Sequence, residues 1–115
     1  VTFTPTPPTM RTVTVNVIAM MGISTFDLIT ISTVSGGSAT EVKRCTTASS
    51  CSTTAVDGSM VRIAGGLSGI ADIWVVGTCP DSPELKTASV PPPNSTLTCP
   101  DYTASADVTA TFEAS

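Results

Sequence analysis

The chain contains no histidine, and with that absence go the Ser-His-Asp and Cys-His arrangements that activate most hydroxyl and thiol nucleophiles. Charge is scarce as well: Lys, Arg, Asp and Glu make up 12% of the 115 residues, against about a quarter in ordinary soluble domains. The five bases, Arg11, Lys43, Arg44, Arg62 and Lys86, are dispersed along the chain and, with nine acids, leave a net charge of −4. Phosphate backbones are bound by clustered basic faces, so neither nucleic acid nor an anionic membrane is an expected partner. Aromatic side chains are few, with one Trp, one Tyr and three Phe, which leaves little to stack on a sugar or to line a large pocket. Long apolar runs are missing too. The longest, residues 17–23, is interrupted by Gly22 and falls short of the ~18 residues that span a bilayer, so no membrane insertion is expected. The chain opens without Met and without a charged segment leading into an apolar one. The expectation is a secreted chain whose signal peptide has been removed.

What the chain does have is hydroxyls: 21 Thr and 14 Ser keep its surface wet in place of charges. A mucin-like or disordered chain shares that richness but not the 41% hydrophobic content found here, so the chain is expected to fold. Its length suits one domain with a core of its own.

Cys45, Cys51, Cys79 and Cys99 form an even set whose spacing lacks the paired C-x-x-C units of a zinc site. Disulfides are expected. Four cysteines allow three connectivities, of which the sequential one, Cys45 with Cys51 and Cys79 with Cys99, is favoured because it clips a Ser/Thr loop and closes a Pro-rich excursion. Oxidised cysteines point to an extracellular or cell-surface location. The sequon Asn94-Ser95-Thr96 agrees with that location and makes Asn94 a candidate glycosylation site.

Hydrophobic periodicity reads as strands throughout. Residues 1–10 carry three prolines and form an expected extended arm or linker preceding a single domain over 11–115. From Arg11 the odd positions Val13, Val15, Val17, Ala19 and Met21 are apolar against polar Thr12, Thr14 and Asn16, the pattern of a half-buried strand. Residues 26–34 form a second strand, doubly buried or broken by a bulge, because Phe26 and Leu28 point one way and Ile29 and Ile31 the other. A short strand at 41–45 with Val42 inward is followed by a polar loop, 46–54, and an Asp57-Gly58 turn. Residues 60–63 and 70–76 read as a hairpin around Gly65–Gly69, with Trp74 as a core anchor. The prolines of 79–100 suggest an ordered surface loop, and 107–113 is a final strand with Val108, Ala110 and Phe112 inward. The expected fold is all-β: a disulfide-stabilised, two-layer antiparallel β-sandwich, Ig-like or related, with an incomplete barrel as the alternative. Its expected core comprises Val13, Val15, Val17, Leu28, Ile31, Ile63, Trp74, Val76, Val108, Ala110 and Phe112.

Chemistry-bearing motifs are sparse. Gly65–Gly69 lacks the Lys-Ser/Thr of a phosphate loop and reads as a turn. Cys79-Pro80-Asp81 and Cys99-Pro100-Asp101 would bring two carboxylates together if the cysteines bond, making Asp81 and Asp101 weak candidates for calcium; a turn after each cysteine is the favoured reading, and no metal is assigned. A hydrolytic carboxylate pair needs only two of the nine acids, but the aromatic-lined cleft that would accompany it is not in the composition. The chain is therefore read as non-enzymatic and without a cofactor. Two functions compete: a self-assembling subunit of a surface fibre, coat or appendage, whose partners are copies of itself or another extracellular protein, and a monomeric recognition or adhesion module binding a protein or glycan. Low charge, Thr- and Val-rich strands, and an arm in which Val1 and Phe3 alternate with Thr2 and Thr4 favour assembly by strand addition.

Overall fold

The computed structural model describes residues 8–80 and 82–115. Among them there is no helix, and ten strands follow one another: β1 (Met10–Ile18), β2 (Phe26–Ser35), β3 (Ser38–Ala48), β4 (Ser50–Val56), β5 (Met60–Gly66), β6 (Val75–Cys79), β7 (Ser82–Thr87), β8 (Thr96–Thr98), β9 (Tyr102–Thr103) and β10 (Val108–Ala114). They form two packed sheets. Sheet one runs β4-β1-β10-β6-β7; sheet two runs β3-β2-β5-β8, with β9 pairing farther along β5.

Alternation carries the sandwich, as the period-2 pattern requires. In β1, Val13 and Val15 are buried while Thr12 and Asn16 face solvent; in β10, Ala110, Phe112 and Ala114 are buried. Sheet two contributes Phe26, Ile29, Ile31, Val61 and Ile63 to the same core. At its centre the ring of Phe112 stacks on that of Phe26 with centroids 5.9 Å apart. It reaches that position because Gly65 of β5 and Gly77 of β6 carry no side chain: a β-carbon at either would collide with the ring. These two glycines serve close approach rather than a turn.

That packing corrects the expected hairpin. Gly65 and Gly66 lie inside β5, which pairs with β2 and β8, whereas β6 pairs with β10 and β7 in the other sheet. The wholly antiparallel expectation is corrected as well, because β1 and β10 run parallel, from Val13 opposite Val108 to Ile18 opposite Glu113. Strands from opposite ends of the chain share no turn, so nothing local imposes reversed directions.

Other differences have equally local causes. Trp74 is 38% exposed rather than a core anchor, since it lies outside the strand proper and pairs its backbone with Ser115. Leu28 is only half-buried, on the outer face: Phe26, Ile29 and Ile31 are the inward residues, so the alternation changes phase between Phe26 and Ile29, opposite Thr47 with φ of 46°. A bulge follows between Ile31 and Ser32. The first strand stops at Ile18, leaving Ala19 and Met21 exposed rather than inward. Val42 is also exposed, on an outermost strand, and the expected loop 46–54 is taken up by β3 and β4, where β-branched threonines suit a pleated ladder. The expected loop at 79–100 contains β7 and β8; Pro83 is accommodated because β7 is an edge strand.

The cysteines form two disulfides, Cys45–Cys51 and Cys79–Cys99. Each joins one sheet to the other. Cys45 of β3 and Cys51 of β4 link the two sheets along one side of the sandwich, while Cys79 at the end of β6 and Cys99 just past β8 link them along the opposite side.

This packing and the two bridges have measurable consequences. Phe112→Ala should cost ~3–5 kcal/mol by emptying the centre of the core, and Gly65→Ala ~1–3 kcal/mol by overpacking it. In urea titrations of the double mutant the alanine at 65 should cost far less than it does alone, because the ring it strikes is gone. Replacing Cys79 and Cys99 by serine should cost ~3 kcal/mol for a loop of this length, measured by thermal or urea unfolding against the native protein.

Candidate functional site

β1 and β10 both run toward one end of the sandwich, the head, where the connections 19–25, 67–74 and 88–95 and the residue Ser115 gather. The opposite end, the tail, holds Thr9, the Asp57-Gly58 turn and the Gly36-Gly37 turn. A cleft of about 270 Å³ opens on the outer face of sheet two near the head, lined by Asp27, Leu28, Gly66, Leu67, Ser68 and Asn94, among others. Its walls are sewn together locally. The Asp27 carboxylate accepts from the Ser68 amide at 2.7 Å and from its hydroxyl at 2.9 Å. Leu67 donates its N–H to the Ser95 carbonyl, and the buried Ser95 hydroxyl donates to the Ile73 carbonyl. Asn94 stands exposed at the rim. Asp27 is the one ionisable residue among the described residues lining the cleft, and a lone carboxylate already engaged by Ser68 does not make a general acid and base pair.

Of the two Pro-Asp aspartates, the structure describes Asp101 alone. It is held by Arg62 in a two-point ion pair, Nε to Oδ1 at 2.8 Å and Nη2 to Oδ2 at 3.0 Å. That hydrogen bonding holds the Asp101 carboxyl below its usual range and raises the guanidinium of Arg62. Asp81 lies outside the described residues, among which no three Cys, Asp or Glu side chains gather as metal ligands. Val1 and Phe3 of the arm also lie outside the described residues.

The strand edges are more informative. Natural edge strands are guarded by charges, proline or bulges, because their free N–H and C=O groups template pairing with another chain. β3 carries Glu41, Lys43 and Arg44, and β7 carries Pro83, Glu84 and Lys86. β4, the other margin of sheet one, reads SCSTTAV and has neither charge nor proline. Its ladder to β1 is bounded by Val17 N–H to Ser49 C=O at 2.8 Å and Asp57 N–H to Thr9 C=O at 2.7 Å. Antiparallel pairs alternate between bonded and non-bonded, so Cys51, Thr53 and Ala55 bond to β1 while Ser52, Thr54 and Val56 aim their backbone groups outward. The alternation and missing charge of 50–56 are legible in the sequence, but its reading as a polar loop hid them.

Beside that edge, Thr12, Thr14 and Asn16 of β1 lie between Ser50, Ser52 and Thr54 of β4 and Thr109 and Thr111 of β10. This face is lined with hydroxyl and amide groups. Two disulfides in a domain of this size are typical of extracellular proteins, and no helix among the described residues is long and apolar enough to cross a membrane. Comparison with protein-family models, with curated proteins and with solved structures finds no match to this chain.

The Arg62 pair has a pH signature. Because the folded-state pKa of Asp101 is lowered, its contribution to stability is present above the ordinary carboxylate range and disappears as pH falls through the lowered value. Asp101→Asn should therefore melt earlier than the native protein at neutral pH and approach it in acid; equal melting temperatures at every pH would show that the pair is energetically silent.

Proposed function

We propose that this chain is a non-enzymatic, secreted structural subunit that assembles with copies of itself, by strand addition, into a surface fibre, coat or appendage. The observation that supports this reading most is the edge of β4, unpaired among the described residues, unguarded by charge or proline and presenting the backbone of Ser52, Thr54 and Val56 outward. The alternating arm residues Val1 and Phe3 are the segment proposed to add there, and Asn94, exposed in its sequon, is the proposed glycan acceptor. A second reading, a monomeric recognition module for a protein or glycan, draws support from the head cleft with its apolar floor and its Asp27–Ser68 clamp.

Thr54→Pro separates the two. It removes an outward N–H without touching a bond to β1, so the fold should survive while assembly of the oxidised 115-residue chain, followed by light scattering, falls to monomer. Thr54→Val, which keeps the N–H, should assemble like the native protein. A native chain that stays monomeric at high concentration discards the assembly reading in favour of the recognition module.

A further inference from the structure

The sequon Asn94-Ser95-Thr96 forms part of the wall of the head cleft. Asn94 and Thr96 both line it, while Ser95 between them is buried. The backbone on either side of Asn94 is pinned to the 67–74 connection. The Pro93 carbonyl accepts from the Ile70 N–H at 3.3 Å and the Ser95 carbonyl from the Leu67 N–H at 2.9 Å. The Ser95 hydroxyl donates in turn to the Ile73 carbonyl at 2.9 Å. Asn94 itself is exposed. An exposed amide on an anchored backbone holds whatever is joined to it in one place, and that place is the mouth of the cleft.

Resting on the reading of Asn94 as a glycan acceptor, we propose that the head cleft is the seat of that glycan's first sugar, an N-acetylglucosamine, which covers the cleft within its own subunit. Size, lining and charge agree. At about 270 Å³ the cleft is smaller than the ~300–1,000 Å³ of pockets for drug-sized ligands, so it suits one sugar ring and not an oligosaccharide. Its floor is low where Ala64 and Gly66 follow one another along the outer side of β5, and Leu28 and Leu67 add apolar surface. The C–H face of a pyranose and an acetyl methyl can lie there. A β-carbon at Gly66 would meet Thr96 Oγ1 and the Ser95 carbonyl at 3.1 and 3.2 Å, so a side chain at this position would crowd the sequon wall. Both Ser68 bonds go to Oδ2 of Asp27, leaving Oδ1 to accept from a sugar hydroxyl. Asp27 is the only charged group among the described residues lining the cleft, which suits a neutral sugar.

Tethering decides between this glycan and a free one. Among the described residues lining the cleft there is no aromatic ring to stack on a sugar, so a free saccharide would be held weakly. A sugar joined to Asn94 through one short side chain is presented at an effective concentration on the order of millimolar or above. Weak contacts then suffice to keep it seated, and the cleft is closed to other ligands.

The test uses the oxidised 115-residue chain secreted by cells that attach high-mannose N-linked glycans, trimmed with endoglycosidase H to a single N-acetylglucosamine, beside the same chain made without glycosylation. Mass spectrometry should place the sugar on Asn94. The single sugar should raise the melting temperature by several degrees, and nuclear Overhauser contacts should join its acetyl methyl to the methyls of Leu28 or Leu67. In Thr30→Tyr, whose ring fills the cleft, the sugar should still be attached but its effect on melting should vanish. Comparing sugar-bearing and bare forms of one variant cancels the effect of the substitution on the fold itself. If Thr30→Tyr does not fold, Ala64→Val takes its place. A glycosylated Asn94 without those contacts, or a melting shift that persists in the filled variant, overturns the seating and leaves Asn94 as an acceptor; an unmodified Asn94 overturns both.

Discussion

The ring of Phe112 sits where three strands of two sheets would otherwise leave a void, and the arrangement of the core depends on it. It stacks on Phe26 from sheet two and occupies the space that side chains at Gly65 and Gly77 would fill. A single aromatic thus fixes how β10 lies against both β5 and β6. Interiors are packed at crystal-like density, and a ring wedged between two bare backbones has few other positions available. With few aromatics elsewhere, the protein concentrates its largest apolar surface at this one point.

Around that centre the covalent bridges act at the flanks. Cys45–Cys51 and Cys79–Cys99 hold the two sheets together at opposite sides, so neither side can open independently. A domain with so few large side chains gains from such constraints, since its buried area alone gives a modest margin over conformational entropy. The division of surface follows the same economy. Strand faces are lined by threonine and serine, and exposed apolar side chains are pushed mainly to the ends, where the ladders stop.

The sequence showed the clean alternations plainly: Val13 to Val17 and Ala110 to Phe112 were legible because each strand has one wet and one dry face. It misled wherever a residue had two physical uses. Glycine marks turns through its backbone freedom, but Gly65 and Gly77 are required by their neighbour's size, which no local pattern reveals. Threonine and serine mark loops by polarity, yet in 46–54 they build paired strands. Trp74 has the size of a core residue and the position of a terminus. The candidate edge on β4 was hidden by the same ambiguity, and the Asp27 to Ser68 clamp joins segments far apart in the chain, so only the fold brings it to view.

The parallel seam between β1 and β10 bears on the order in which the molecule is completed. Before β10 enters, sheet one consists of two separate fragments, β4-β1 and β6-β7, with an open slot between them. That slot is filled by the last of the ten strands in chain order, and closing it pairs segments some ninety residues apart in the sequence, the kind of contact that forms slowly. Until β10 enters, the slot is bordered by two unpaired strand edges and floored by the side of Phe26 on which Phe112 will stack. An unfinished chain is therefore sticky in a way the finished one is not, and a strand from a neighbouring chain fits the slot by the same rules as its own.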